Sequence, residues 1–244
     1  MTYLKILFIV LPLLVLHQSV FAISPNSTLE LQLSQSLENP PPTPVKIPNK
    51  NPDTLPTPSI MLQYRADLTR EAQAVYGLNA PIAMLAGQIW QESGGRANVT
   101  AIDLGRGLTQ FMDGTIAQIV RVHPELGPAN PYNPLWAIRA QTKYMMWINK
   151  RVKGKDNCEK YSAALKSYNA GLGYVQRAQK VSPQPDIWYG VTEDIASGQS
   201  HKNFIYSRWY PRQILFNHQR RFVPWGGLVC DLNNVPVDNP KFKK

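Results

Sequence analysis

Apolar positions recur at three- and four-residue steps through most of the chain beyond residue 59, a spacing that is typical of amphipathic helices. The pattern predicts one helix over 60–76, a second over 81–92 and a third that begins after Asp113. A longer helix is predicted from Pro134, and its apolar positions continue to Val152. We expect this long helix to be the central packing element.

Two more helices are predicted in the second half of the chain. An inward-facing stripe ends at Tyr168, and Gly171 is placed to stop that helix. Another helix should run through Tyr174 and Val175. Alternating apolar and polar residues, which predict strands, are scarce, so we expect a single, mainly α domain with one small β-hairpin within 101–110.

The first 58 residues have a different composition. Lys5 precedes an apolar run over 6–16 that is short for a membrane span, and small residues follow it, so we predict a secretory signal peptide over 1–22. An uncleaved inner-membrane anchor is the alternative. Residues 23–58 are rich in Pro, Asn, Ser and Thr and are predicted to be a disordered linker. The folded domain is then expected over 59–237, followed by a basic tail over 238–244.

The formal net charge of +10 favours an anionic partner. Zinc-finger spacing and RNA-binding aromatic motifs are both absent from the sequence, so nucleic acid is not the expected partner. Because an exported protein meets the anionic polymers of a bacterial envelope, we expect a periplasmic location and an envelope partner.

The cysteines and histidines restrict the chemistry further. Cys158 and Cys230 are the only cysteines, and in an oxidising compartment they either form one disulfide or remain as two free thiols. The four histidines do not have metal-site spacing, and we predict neither a metal nor another cofactor.

Glu92 is the strongest candidate for chemistry. It follows Ile82, Leu85 and Ile89 on the apolar stripe of its predicted helix, and two glycines then end that helix. Burial and the negative end of the helix dipole would both raise the pKa of Glu92, as a general acid near neutral pH requires. The alternative is a solvent-facing glutamate at a helix end.

Three short patches have a combined order and spacing that is more specific than any one of them. They are Glu92-Ser93, Gly107-Leu108-Thr109-Gln110 and Ser167-Tyr168-Asn169-Ala170-Gly171. Together they resemble the soluble lytic transglycosylase (SLT) domain of glycoside hydrolase family 23, which includes goose-type lysozymes. The resemblance covers about 81–180 and implies a lysozyme-like fold.

The resemblance also implies roles for individual residues. Glu92 would be the sole acid and base, cleaving the bond between N-acetylmuramic acid and N-acetylglucosamine in peptidoglycan glycan strands and leaving a 1,6-anhydro end. Tyr168 would hold or polarise Glu92, and Gln110 would bind a sugar beside it. The remaining substrate-binding candidates are Ser93, Asn169 and Phe204. We expect a monomer.

Two alternative functions remain open from the sequence. A lysozyme-type hydrolase would require a second carboxylate to activate water. Asp103 is predicted to be a turn residue and Asp113 a helix N-cap, which favours the transglycosylase. The other alternative is a non-catalytic peptidoglycan-binding component of a secretion, conjugation or phage apparatus.

Thr109 replaces the family's usual methionine, which affects the expected contact with the sugar.

Overall fold

A computed structural model of the protein describes residues 55–242, which belong to one compact unit. The predicted signal peptide, the linker up to residue 54 and the last two residues of the basic tail lie outside the described residues. No helix within 55–242 is both long enough and apolar enough to cross a bilayer.

Helices dominate the described chain. The α-helices are α1 (Ser59–Leu62), α2 (Arg65–Tyr76), α3 (Ile82–Ser93), α4 (Asp113–Val122), α5 (Pro134–Asn149), α6 (Asn157–Ala170), α7 (Leu172–Val181) and α8 (His201–Arg212). A π-helical segment (Gln213–His218) and a 3-10 segment (Gln219–Trp225) continue directly from α8.

The predicted mainly α, lysozyme-like fold class is confirmed. Within 55–242 the predicted hairpin is reduced to two isolated antiparallel bridges, Thr100 with Arg106 and Arg106 with Phe111. Arg106 takes part in both, so the chain folds back twice over a short distance. This loop forms one side of the cleft described below.

Two of the helix predictions differ from the structure. The helix expected over 60–76 is split between α1 and α2, because Tyr64 turns inward and donates its hydroxyl proton to the Gly95 carbonyl at 3.0 Å. Asp113 is the first residue of α4 rather than its N-cap, and its carboxylate pairs with Arg106 at 2.9 Å. The prediction of an Asp113 cap is therefore wrong.

Side-chain caps do begin the helices that carry the rest of the site. Asn133 accepts a hydrogen bond from the Trp136 N–H at 3.0 Å, and Pro134 occupies the first position of α5. Asp156 caps α6 in the same way through the Glu159 N–H at 2.9 Å. These caps satisfy N–H groups that have no partner within their own helix.

The most enclosed helix is α3, rather than the predicted α5. Every residue over 82–89 is buried, including Gln88. The segments Gln213–His218 and Gln219–Trp225 pack along α3, and the Gly226 carbonyl accepts the Ala83 N–H at 2.9 Å near its first turn. The last quarter of the chain therefore supports the helix that carries Glu92.

Candidate active site

Glu92 lies in the last turn of α3 and lines a cleft of about 690 Å³. The helix ends beside it because Gly94 adopts a left-handed conformation with φ of 60° and donates its N–H to the Trp90 carbonyl at 3.0 Å. Other cleft residues come from the 101–118 region and from the ends of α6 and α7: Ala101, Asp103, Gln110, Phe111, Met112, Tyr168, Asn169, Gly173 and Gln176.

The direct hydrogen bond to Glu92 comes from Tyr210. The Tyr210 hydroxyl donates to Glu92 Oε1. Tyr210 belongs to α8, and its side chain is buried. Glu92 forms no ion pair with any residue in the described range. Its carboxyl group is therefore held by a neutral donor.

This environment raises the pKa of Glu92 to about 8. Burial is the main cause, since it disfavours the ionised form. The hydrogen bond from Tyr210 acts in the opposite direction, and the negative charge of Asp103 adds a smaller upward effect. A carboxyl group with this pKa is protonated near neutral pH and can give a proton to a bound molecule.

Asp103 lies in the same cleft as Glu92. One of its oxygens accepts the Gly105 N–H at 3.3 Å, in agreement with the predicted turn role. The next residue, Leu104, has a positive φ of 72°, and both Ile102 and Leu104 are exposed. Asp103 is thus both a turn residue and the second carboxylate of the cleft.

Tyr168 lies beside Glu92 but contacts a different group. Its hydroxyl donates to the Thr109 carbonyl at 2.8 Å, and its ring packs against Phe111 and Tyr144. Glu92 influences Tyr168 electrostatically. The expectation was that Tyr168 holds or polarises Glu92. Tyr210, and not Tyr168, makes the hydrogen bond to Glu92, whereas a polarising role for Tyr168 stays a prediction. The Tyr168 hydroxyl joins the cleft wall to the 107–111 loop.

Gln110 and Asn169 both line the cleft, as expected of substrate-binding residues. Gln110 has a positive φ of 50°, and its amide nitrogen donates to the Gly107 carbonyl at 2.7 Å. The loop is close-packed here, since a Cβ atom on Gly107 would lie 1.9 Å from the Pro131 carbonyl oxygen. Asn169 is exposed at the end of α6.

Ser93 and Phe204 do not contribute to the cleft surface. Ser93 is 2% exposed, and its hydroxyl is within hydrogen-bonding distance of two main-chain carbonyls, Leu108 at 2.8 Å and Ile89 at 3.4 Å. Phe204 is also 2% exposed and packs against Phe242 and the Lys166 ammonium. Both predictions of substrate contact are corrected, because these side chains are enclosed by protein.

Cys158 and Cys230 form a disulfide that ties the first turn of α6 to the C-terminal segment. Within residues 55–242, no group of three or more His, Cys, Asp or Glu side chains could hold a metal ion.

Tyr210 was missed by the sequence analysis. It belongs to an aromatic-rich stretch in which most side chains are core residues, and its separation from Glu92 by 118 positions gives no local signal. Gln88, which contacts Tyr210, could have been found, because it precedes Glu92 by one helical turn on the same face.

Comparison with known families adds one positive match. A model described as the transglycosylase SLT domain matches residues 67–190. Comparison with curated proteins gives no match. The matched segment contains Glu92, Gln110 and Tyr168 but ends before Tyr210.

Proposed function

The chain belongs to the transglycosylase SLT domain family, and from this membership and the geometry of its cleft we propose that it is a peptidoglycan lytic transglycosylase with Glu92 as its single acid and base. The proposed substrate bond joins N-acetylmuramic acid to N-acetylglucosamine. The observation that carries the proposal is the position of the Glu92 carboxyl group, which lines the cleft and has the neutral Tyr210 hydroxyl as its direct donor, in surroundings that raise its pKa.

The first proposed step is proton donation. Glu92 gives its proton to the glycosidic oxygen while the bond from that oxygen to the anomeric carbon breaks. The N-acetyl group of the substrate stabilises the positive anomeric carbon, so no second carboxylate is required as a nucleophile. Glu92 is left ionised and still accepts the hydrogen bond from Tyr210.

The second proposed step restores the enzyme. The Glu92 carboxylate takes the proton from the 6-hydroxyl of the muramic acid, and the freed oxygen bonds to the anomeric carbon. The product is a 1,6-anhydro sugar, no water is consumed, and Glu92 ends the cycle protonated. A pKa of about 8 suits both proton transfers, since neither form of the group is strongly disfavoured near neutral pH.

One observation favours a second candidate, a hydrolase acting on the same bond. Asp103 lines the cleft with Glu92 and would be the general base that activates water. Because one of its oxygens already accepts the Gly105 N–H, we regard Asp103 mainly as a turn residue.

We also propose that the protein acts in the periplasm after export, where peptidoglycan is accessible. The Cys158–Cys230 disulfide supports this proposal, since such bonds persist in oxidising compartments.

Product analysis on purified sacculi tests the proposal. The wild-type protein should release muropeptides with ends one water lighter than reducing ends, detected by mass spectrometry. Glu92→Gln should lower the release rate by about 10²–10⁴-fold, because the amide cannot give or take the proton. Asp113→Asn is the matched control, since its carboxylate is exposed and lies outside the cleft lining.

The three candidate functions give different results. Reducing ends, lost in Asp103→Asn, would overturn the transglycosylase in favour of the hydrolase. Sacculi bound by the wild type with no release of fragments would indicate a non-catalytic wall-binding protein. Anhydro ends that persist in Asp103→Asn support the proposal.

A further inference from the structure

A line of neutral polar side chains runs from the protein interior to Glu92. Gln141 on α5 and Gln88 on α3 are both fully buried, and Tyr210 on α8 is 5% exposed. Buried amides are costly unless they are hydrogen-bonded, so their partners are informative.

The hydrogen bonds along this line are consecutive. The Gln141 amide nitrogen donates to the Leu85 carbonyl at 3.1 Å and to Gln88 Oε1 at 2.8 Å. The Gln88 amide nitrogen then donates to the Tyr210 oxygen at 3.3 Å. The Tyr210 hydroxyl in turn donates to Glu92.

The direction of the line is fixed at its buried end. A main-chain carbonyl can only accept, so the Leu85 carbonyl requires the nitrogen of the Gln141 amide to face it. The same nitrogen faces Gln88 Oε1, which in turn directs the Gln88 nitrogen towards Tyr210. Since that N–H occupies the Tyr210 oxygen from one side, the hydroxyl proton points to Glu92.

This arrangement leaves one buried acceptor unsatisfied. Within residues 55–242, Gln141 Oε1 has no hydrogen-bond partner, which is costly for a buried acceptor. Reversing the Gln141 amide would place an oxygen against the Leu85 carbonyl instead. The orphaned oxygen is therefore a consequence of the direction that the main chain imposes.

We propose that Gln141 and Gln88 are positioning residues that direct the Tyr210 hydroxyl proton to Glu92 Oε1, so that Oε2 is the oxygen that exchanges a proton with the substrate. When Glu92 is protonated, its proton lies on Oε2, because the Tyr210 proton already occupies the space beside Oε1. One oxygen then both gives the proton and takes it back. This exchange rests on the proposed function, whereas the direction of the hydrogen bonds does not.

The test measures the ionisation of Glu92 directly. Carbon-13 NMR of side-chain-labelled protein follows the Glu92 carboxyl through a pH titration without any substrate. Three other ionisable groups influence Glu92: Asp103 from the 101–110 loop, Tyr168 from α6 and Tyr210 from α8. The two glutamine variants described next leave all three groups unchanged.

Gln88→Met and Gln141→Met keep the side-chain length and remove the amide. Each variant should raise the titration midpoint of Glu92 by about 0.5–1 pH unit, because Tyr210 then donates to Glu92 more weakly or less often. The alkaline limb of the activity profile should move by the same amount. Gln179→Met is the matched control, since Gln179 is a buried glutamine that bonds to Lys153 and Pro185.

A double variant provides the decisive comparison. If the glutamines act through Tyr210, then Gln88→Met added to Tyr210→Phe should shift the midpoint no further than Tyr210→Phe alone. Full additivity would overturn the proposal, as would wild-type midpoints in both single glutamine variants. If Gln88→Met does not fold, Gln141→Met with and without Tyr210→Phe gives the same comparison.

This readout separates the two proposals. If the wild type releases no anhydro products but the midpoints shift as expected, the proposed function fails and the positioning role stands. If the wild type releases anhydro products but the Glu92 midpoints do not shift in the glutamine variants, the proposed function stands and the positioning role fails.

Discussion

Two glutamates are withdrawn from water on opposite sides of α8, and they have different partners. Glu193 is 1% exposed and contacts two arginines, with Arg212 at 2.7 Å and Arg208 at 3.3 Å. Glu92 is partly buried and receives a hydrogen bond from neutral Tyr210. Both carboxyl groups have hydrogen-bond partners, but within residues 55–242 only Glu193 has cations that balance a negative charge.

The difference teaches that burial alone does not make a proton donor. Burial raises the pKa of a carboxyl group, while an adjacent cation opposes that effect. Glu193 joins Arg208, Arg212 and Asp238 in an ion-pair cluster that fastens the C-terminal segment to α8. Glu92 lacks such a cation within residues 55–242, and its pKa rises to about 8. The comparison predicts four outcomes.

The largest expected effect is on the pH dependence of stability. The folded-state pKa of Glu92 is about 8, against an ordinary value of 4.5, so the folded state keeps a proton that the unfolded state loses. The contribution of Glu92 is therefore most favourable below pH 4.5 and falls as the pH rises towards 8, by up to about 5 kcal/mol. Urea unfolding of wild type and Glu92→Gln at pH 5 and 8.5 measures this difference. Parallel pH dependences in the two proteins would contradict the raised pKa.

The second effect should come from the paired carboxylate. Glu193→Gln removes a buried carboxylate from Arg208 and Arg212, which keep Asp238, and should lower the free energy of unfolding by about 3 kcal/mol, the lower end for a broken buried pair. Thermal and urea unfolding at pH 7 provide the measurement, with Glu92→Gln as the control. Equal stability of the two variants would show that the two carboxyl environments do not differ as described.

The third effect concerns the disulfide between Cys158 and Cys230. Cys158 and Cys230 are separated by 72 positions, so a double Ser variant should lose about 2–4 kcal/mol of stability. Because neither cysteine lines the cleft that contains Glu92, the pH profile of product release should not move. A shifted profile would show that the C-terminal segment controls the environment of Glu92 through this bond.

The smallest effect should come from Tyr210→Phe. A hydrogen bond to a charged group contributes about 1.5–3 kcal/mol, so its loss should raise the pKa of Glu92 by about 1–2 units. A general acid works while protonated, and the alkaline limb of the activity profile should therefore move to higher pH. Tyr168→Phe is the control, since that hydroxyl donates to Thr109. A larger shift in Tyr168→Phe would reverse the assignment of the two tyrosines.

Much of the fold could be predicted from the sequence because it depends on local patterns. The helices around Glu92, Tyr161 and Tyr174 follow from apolar spacing, and glycines mark the ends of two of them. The break at Tyr64 could not be predicted, because it depends on a contact with Gly95, which is distant in sequence.

Only the site residues that belong to the sequence motifs could be predicted. Glu92, Gln110 and Asn169 line one cleft, as their motif positions suggested. Phe204 was misassigned, because an aromatic side chain that stacks on a sugar and one that packs in a core look alike in sequence. Tyr210 was missed, since no local pattern links it to α3.

The segment beyond residue 190 determines whether the family-matched portion could be moved into another protein. That portion, 67–190, contains the motifs but not Tyr210, Cys230 or the Gly226 carbonyl that serves the first turn of α3. A chimaera that joined it to an unrelated C-terminus would leave α3 without the C-terminal segments that pack along it and Glu92 without its hydroxyl donor. The smallest interchangeable module is thus longer than the recognisable motif set, and recombination among relatives would need to carry both pieces together.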